Sequence, residues 1–420
     1  MRKTNRAALP LAVLAAISMP AWAAEPALLT WETAVTEAEQ YNPSLAAAKS
    51  TVLKAEAALK ASYSAFLPSL SANGSYSLSD TETSLQAKQY SMGLSGRQSL
   101  FSGFRDKATL DRRRAELDSA QMQQRAAQAQ VSYDLRRSFS DLLYAQERVV
   151  LADSIASRRK ENLRLLELRF EAGKEHKGSY LRIKAAYRDA EFEAARSKRA
   201  LQVGQRALAA ALGRANFGVL VATGSLQLSP ETDDPDYDSL VRQTPEYRRA
   251  SAQVLSAQAG VTISRSQFVP ELSASASGSR SAETWPPYRD RWSTGLSISL
   301  PLFSGGQDYQ GVKGAKAEER RAAAALADLR NELALKLQNS FISMQDAAEK
   351  TEVQKEFLAA AEVRAEISRS QYTSGLLDFD DWDIIENDLI DKQKTMLSSL
   401  KDASVAVAGW ELAKGVGVIR

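Results

Sequence analysis

The residue types that carry most enzymatic and metal chemistry are nearly missing from this 420-residue chain. It has no cysteine and one histidine, His176. Thiolate nucleophiles, thiolate metal sites, disulfides and lipid-modified cysteines are therefore excluded. His176 lies in Lys174-Glu175-His176-Lys177-Gly178, beside Gly173, with no second histidine to complete a metal site. It reads as a solvated turn residue. The carboxylates are scattered along helix-like stretches, and no nucleophile–base pair or phosphate-cradling glycine loop stands out. An enzyme is the weakest reading, and no cofactor is called for. Charges do gather after two glycines. Gly375 is followed by Asp380, Asp381 and Asp383, and Gly173 by Lys174, Lys177 and Arg182. Such groups can attract, repel or pair. The bland alternative is a set of solvated turn charges.

The elements that hold these turns occur twice. Phe66-Leu67-Pro68-Ser69-Leu70 matches Phe268-Val269-Pro270-Glu271-Leu272, and Ser91-Met92-Gly93-Leu94-Ser95 matches Ser293-Thr294-Gly295-Leu296-Ser297. Phe101-Ser102-Gly103 matches Phe303-Ser304-Gly305, Phe170 and Gly173 match Tyr372 and Gly375, and Pro43 matches Pro245. Every pair is 202 residues apart. The chain is thus read as two copies of one unit, at 24–212 and 244–412, joined by a linker at 213–243 and closed by a tail at 413–420.

Each unit changes period along its length. Leu70, Ala72, Gly74, Tyr76 and Leu78 alternate with small polar residues, as do Trp292, Thr294, Leu296 and Ile298. Period two with one apolar face predicts strands near 69–79, 88–99, 271–281 and 291–300, paired as two hairpins. Helix-forming texture follows. Residues 106–168 hold neither Gly nor Pro, and Leu135, Phe139 and Leu142 keep a 3-4 spacing echoed by Leu337, Phe341 and Met344. Long helices are predicted near 106–168, 179–212, 312–370 and 379–412, with Gly173 and Gly375 as the breaks. Alanine runs such as Ala322 to Ala325 leave little apolar mass for a conventional core. A wall of helices packed edge to edge fits this better than a compact bundle, with a simple long coiled coil as the alternative.

Residues 1–23 have a basic start, an apolar stretch and a small-x-small ending, Ala21-Trp22-Ala23, which reads as a secretory signal peptide. Removing Arg2, Lys3 and Arg6 turns the net charge of +3 into a balance of 51 basic and 51 acidic residues. Nucleic-acid binding has no support from such a balance. No later stretch suits a transmembrane helix. Strands of about ten residues do suit a tilted crossing of a bilayer. Tyr90, Trp285, Tyr288 and Trp292 lie near strand ends, where interface aromatics belong. The linking loops carry Asp80, Glu82, Lys88, Glu283, Arg289, Asp290 and Arg291, which suits solvent. Water-soluble hairpins packed on the helices are the alternative. In lipid, open sheet edges are not tolerated, so several chains must share one barrel. Three chains supply an even, antiparallel-compatible count of twelve strands. Ser and Gly then line a wide, water-filled lumen, and Arg97 shares their register.

Taken together, the duplicated layout, the approaches at 66–70 and 268–272, the exit Leu300-Pro301-Leu302-Phe303-Ser304-Gly305-Gly306 and the turn Tyr372-x-x-Gly375 resemble the outer-membrane efflux protein family, the TolC-like exit ducts of Gram-negative bacteria. The resemblance covers nearly all of the chain after the signal peptide. It implies a mixed α/β membrane protein, a homotrimer in which a shared 12-stranded transmembrane β-barrel in the outer-membrane lipid continues as a long α-helical periplasmic barrel. It also implies a passive exit channel for drug efflux or type I secretion, working with a periplasmic adaptor (membrane fusion) protein and an inner-membrane transporter. In the family, acidic rings near the glycine turns narrow the periplasmic entrance. Asp381 looks like the first such aspartate. The second expected polar position falls on Ile384, with Asp383 as its possible replacement. The first-half match of Asp381 is Ser179, so Lys174, Lys177 and Arg182 give that turn the opposite sign. The missing cysteine sets the chain apart from lipid-anchored members, and the short tail leaves little room for a C-terminal extension. A structural or adhesive periplasmic coiled-coil protein is the competing reading. It leaves the amphipathic hairpins unexplained.

Overall fold

The structure is a computed structural model that describes residues 27–81, 84–215, 218–225, 231 and 233–419. The signal segment 1–23, the side chains of Asp80 and Glu82, and Arg420 lie outside the described residues. In chain order the elements are β1 (Ala27–Leu29), α1 (Trp31–Tyr41), α2 (Pro43–Ser62), β2 (Ser69–Thr81), β3 (Ser84–Ser102), α3 (Arg105–Glu171) and α4 (Lys177–Leu212). Then follow β4 (Leu220–Ala222), α5 (Tyr237–Gln243), α6 (Pro245–Arg265), β5 (Glu271–Ala282), β6 (Arg289–Ser299), α7 (Gln307–Thr373) and α8 (Phe379–Lys414). Both bounds of α3 and α4 recur in α7 and α8 at the 202-residue offset.

α3 and α7 have 67 residues each and span about 100 Å. Neither finds one partner of its own length. α4, of 36 residues, covers the far half of α3, and α2 covers the near half. The two short helices meet end to end. The Asn42 side chain donates to the Ala211 carbonyl at 2.9 Å. Gly213 closes α4 in the left-handed region, with φ 84°, and an added Cβ would strike the Tyr41 carbonyl oxygen. Gly415 closes α8 in the same way, with φ 71°, against the Pro245 ring that opens α6. Both ends show the 6→1 bond of a Schellman motif, Arg214 N–H to Ala209 and Val416 N–H to Glu411.

The long helices lie side by side in the order α4–α3–α8–α7. Buried seams hold them. Leu135, Phe139 and Leu142 of α3 join Leu208 and Leu212 of α4, and Leu337, Phe341 and Met344 of α7 join Trp410 of α8. The expected linker at 213–243 contains ordered structure. β4 pairs in parallel with β1, and α5 packs on α7. The tail is also engaged. α8 runs to Lys414, and Ile419 is buried against α3 with its N–H donated to Ser132 Oγ at 3.1 Å. α7 starts five residues before the expected 312, because Gly306 at φ 85° turns the chain into the helix.

The strands form one antiparallel sheet, β2–β3–β5–β6, so the two hairpins join through β3 and β5. One face carries Ser71, Ser75, Ser91, Ser95, Ser277 and Ser293, whose hydroxyls pair across strands at 2.7–2.9 Å. The other carries Leu70, Leu94, Trp292, Leu296 and Ile298, all largely exposed. A Cβ at Gly93 would lie 3.1 Å from Ser279 Cβ and 3.4 Å from Asn73 Oδ1, so the serine face is tightly packed at that point. Among the described residues no helix is long and apolar enough to cross a membrane.

Gly415→Ala adds a Cβ that collides with Pro245 and forces alanine into the left-handed region. It is expected to cost about 2–4 kcal/mol of stability. Gly375, at φ 76°, has no heavy atom within 4 Å of its added Cβ, and Gly375→Ala is expected to cost about 1–2 kcal/mol. Thermal unfolding of the detergent-solubilised protein checks the order. Equal losses would contradict the end-to-end packing of α8 on α6.

Candidate functional site

The glycine turns lie at the free ends of the helix pairs. α3 closes through Gly173 at φ 71°, and Lys174 N–H returns to the Arg169 carbonyl at 2.8 Å. α7 closes through Gly375, with Leu376 N–H on the Gln371 carbonyl at 2.8 Å. The returning helices are capped by residues 202 apart. His176 Nδ1 accepts from Ser179 N–H at 3.2 Å, and Asp378 Oδ1 from Asp381 N–H at 2.9 Å. His176 thus has a local task, capping the start of α4. Asp380 and Asp381 fall in the first turn of α8, where carboxylates complement the helix dipole.

Behind the turns lies a small aromatic core of Leu166, Ile183, Tyr372, Phe379 and Trp382. Tyr372 and Trp382 stack at 4.4 Å with 4° between planes. Arg169 lies 4.6 Å from the Tyr372 ring centroid and donates to the Tyr372 carbonyl at 2.9 Å. The Tyr372 hydroxyl donates to Glu175 Oε2 at 3.1 Å, which ties the two turns together. Burial, seconded by the Glu175 carboxylate, pushes the Tyr372 phenol up to about 12.

An ionic clamp adjoins this core. Asp383 is 3% exposed. Its Oδ1 accepts from Arg159 Nη1 of α3 at 3.1 Å, and its Oδ2 lies 3.0 Å from Arg182 Nη2 of α4. Arg182 also reaches Asp380 at 3.1 Å, and Arg159 Nη2 donates to Asn387 at 2.6 Å. Three helices are pinned through one carboxylate. Nearby Arg158 has its guanidinium pKa lowered, chiefly by desolvation, with Glu386 acting the other way.

The structure therefore divides the expected charges. Arg182, Asp380 and Asp383 come together. Asp381 is exposed, as are Lys174 and Lys177, and none of the three pairs with an opposite charge among the described residues. The expectation that Asp383 could complete an exposed acidic ring is corrected: it points into the helix seam, two residues and about 200° of helix away from Asp381. Arg97 stands on the serine face of the sheet, with Nη2 3.5 Å from Ser273 Oγ. Arg159 was not singled out in the sequence. The signal was there, since Ala152, Ile155, Arg159, Asn162 and Leu166 keep a 3-4-3-4 spacing and all are buried. Among the described residues no group of three His, Asp or Glu could hold a metal ion.

The sequence profile described as outer membrane efflux protein matches residues 34–214 and 237–394. The chain is 26% identical over 299 residues to the cobalt-zinc-cadmium resistance protein CzcC of Cupriavidus metallidurans, covering 69% of this chain and 68% of that one. It is 23% identical over 387 residues to nodulation protein T of Rhizobium leguminosarum bv. trifolii, covering 89% and 79%. Among solved structures it is similar to CusC, with a TM-score of 0.84, 18% identity and 92% of each chain covered. It is also similar to the open state of the Neisseria gonorrhoeae MtrE outer membrane channel, with a TM-score of 0.83, 18% identity and coverage of 93% and 89%.

Asp383→Ala leaves Arg159 buried without its carboxylate and is expected to cost the tip about 3–5 kcal/mol. Asp381→Ala, at an exposed and unpaired position, should stay within about 0.5 kcal/mol. Hydrogen exchange of residues 159–183 and 372–390 reads both, and equal protection in the two variants would sink the clamp. Tyr372 gives an alkaline marker. Its neutral form is favoured by the fold, so its contribution is complete below the ordinary phenol value of about 10 and is lost as pH rises through about 12. A late tyrosinate absorbance step that vanishes in Tyr372→Phe is the expected result.

Proposed function

The chain belongs to the outer membrane efflux protein family, and from that premise we propose that three copies close one 12-stranded β-barrel continued by a single helical tunnel. It is an outer-membrane channel component of an export system, passive and not enzymatic, with a large periplasmic helical portion. Such channels work with a periplasmic adaptor and an inner-membrane pump.

The observation that carries the proposal is a pattern of contacts that is one short. Contacts within a repeat occur twice: β2–β3 and β5–β6, α3–α4 and α7–α8, α2–α3 and α6–α7. Contacts between repeats occur once: β3–β5, α3–α8 and α3–α6. Their equivalents would be β6–β2, α7–α4 and α7–α2, all to a neighbouring copy. The free edges have the matching chemistry. α7 leaves Leu335, Ile342, Val353, Phe357, Val363 and Ile367 exposed, whereas α8, flanked on both sides, exposes only Ile384 among its large apolar residues. β2 and β6 present unpaired backbone edges that hydrocarbon does not tolerate.

In this reading the serine face and Arg97 line the outer conduit, and the helical turns form the periplasmic mouth. Asp381 faces the axis and sets cation preference. The Arg159–Asp383–Arg182 clamp holds the mouth closed, with Asp380 on its rim. Lys174 and Lys177 carry the opposite charge on the neighbouring turn. Gly173 and Gly375 form the tips. Among the described residues the serine face offers mainly hydroxyls, so cargo choice falls to the inner-membrane pump. CzcC supports a metal-ion export system as one such route.

Leu296→Arg should reduce trimer recovered from outer membranes far more than Ser297→Arg, because an Arg on the lipid face near mid-membrane costs about 2–4 kcal/mol. The reverse order would break the assigned faces. In planar bilayers Arg182→Ala should raise mean conductance by loosening the clamp. Asp381→Ala should lower cation selectivity with conductance changed less. An unchanged reversal potential in Asp381→Ala would place that residue away from the constriction.

A further inference from the structure

The apolar face of the sheet is not smooth. A groove of about 860 Å³ crosses it, over Ala72, Gly74 and Gly278. Met92, Leu94 and Trp292 form its walls. Register explains the depression. Gly74 lies opposite Met92, and Gly278 lies between Leu94 and Trp292, so glycines leave bare backbone between large side chains. An added Cβ at Gly278 would meet no heavy atom within 4 Å.

At the outer end of this groove the apolar face carries a charge. Arg280 is in register with Met92 on one side and Asp290 on the other, and it shares the face of Leu94 and Leu296. Its Nε and Nη2 donate to the two Asp290 carboxylate oxygens. Nη1 has no partner among the described residues. Asp290 thus fixes the guanidinium plane and leaves donors over. The height suits a headgroup. Arg280 is eight residues along the strand from Leu272, about 20 Å at the usual barrel tilt, near the top of an apolar band about 25 Å tall. The next row outward is aromatic, with Tyr76 and Tyr90 at 4.9 Å and Trp285 6.0 Å from Tyr90. Exposed Lys88, in register with Leu78, adds positive charge on the same face beyond.

We propose that this groove binds a phosphorylated glycolipid of the outer leaflet, with one acyl chain lying over Gly74 and Gly278 and a phosphate held by Arg280. The proposal rests on the reading that the apolar face meets lipid and that the hairpin turns lie outside. Apolar walls take the chain, and a guanidinium with free donors is the group that recognises phosphate. A zwitterionic phospholipid would fill the groove equally well. It would bring its own ammonium toward Arg280 and Lys88, so charge complementarity favours the anionic lipid.

The test is native mass spectrometry of the detergent-solubilised full chain, titrated with bis-phosphorylated lipid A or its dephosphorylated form. The wild type should retain the phosphorylated lipid about tenfold better. Arg280→Gln should abolish that preference, and Gly278→Leu should lower retention of both lipids by filling the groove. Thr294→Leu, on the same face one row inward, should retain the wild-type preference. The protein's oligomeric mass is read in the same spectrum, so failure of the shared barrel is told apart from failure of the site. Equal retention of the two lipids by the wild type overturns the proposal without recourse to any variant. So does undiminished preference in Arg280→Gln.

Discussion

Backbone amides and carbonyls inside a hydrocarbon layer must all be hydrogen-bonded, and a four-stranded sheet with two free edges does not meet that requirement alone. The rest of the molecule follows from how the chain answers it. Duplication makes the edge of each copy complementary to the opposite edge of another, because β6 ends a unit of the same design as the one β2 begins. The strands and helices are continuous through Phe101-Ser102-Gly103 and Phe303-Ser304-Gly305, so the helical layer inherits the cyclic order of the sheet. That is why α4 and α7 are left as edges just where β2 and β6 are. Alternation separates the faces. Serines pack closely on one at Gly93, and the large apolar side chains are exposed on the other.

Much of this was legible in the sequence because it is written in periods. The 202-residue offset, the alternation in the strands and the 3-4 seam at Leu135, Phe139 and Leu142 all report one buried or lipid-facing side. What escaped lacks a period or depends on rotation. β1 and β4 have three residues each, too few to alternate visibly. α5 has seven, within a Pro- and Asp-rich stretch that reads as loop. Arg159 was hidden among Arg158 and Lys160, which suggest a solvated face. Only its place in the seam with Ile155, Asn162 and Leu166 reveals its burial. Asp381 and Asp383 look interchangeable in a row of acids, yet each residue turns the helix by about 100°. One carboxylate ends up in water and the other under two guanidinium groups.

The departures from symmetry are as informative as the symmetry. Both tips carry an aromatic stack at equivalent positions, Phe170 on Tyr180 at 5.5 Å and Tyr372 on Trp382 at 4.4 Å. Both returning helices have a side-chain cap, yet one cap is an imidazole and the other a carboxylate. The shared features are those that any helical turn needs. The clamp is not shared. At the 202-residue offset Arg159 becomes Ala361, Asp383 corresponds to Leu181, and Arg182 corresponds to Ile384.

This asymmetry gives the two kinds of helix seam different physics. The seam between α3 and α8, inside one chain, is held by a buried ion cluster. The seam proposed between α7 and a neighbour's α4 would be apolar, with Ile367, Val363 and Leu181 beside it. Separating an apolar seam exposes hydrocarbon to water and is opposed in proportion to area. Separating the ion cluster is different. Charges that lost hydration on burial regain it on exposure, so the net free-energy difference between the paired and the solvated state is small relative to the attraction itself. Such a contact contributes little to net stability and much to the choice of one geometry. A seam of that kind can part and re-form without unfolding its neighbours. Asp383 sits about one turn into α8 and Arg159 about three turns back along α3, so the cluster braces the stretch of helix behind the proposed mouth.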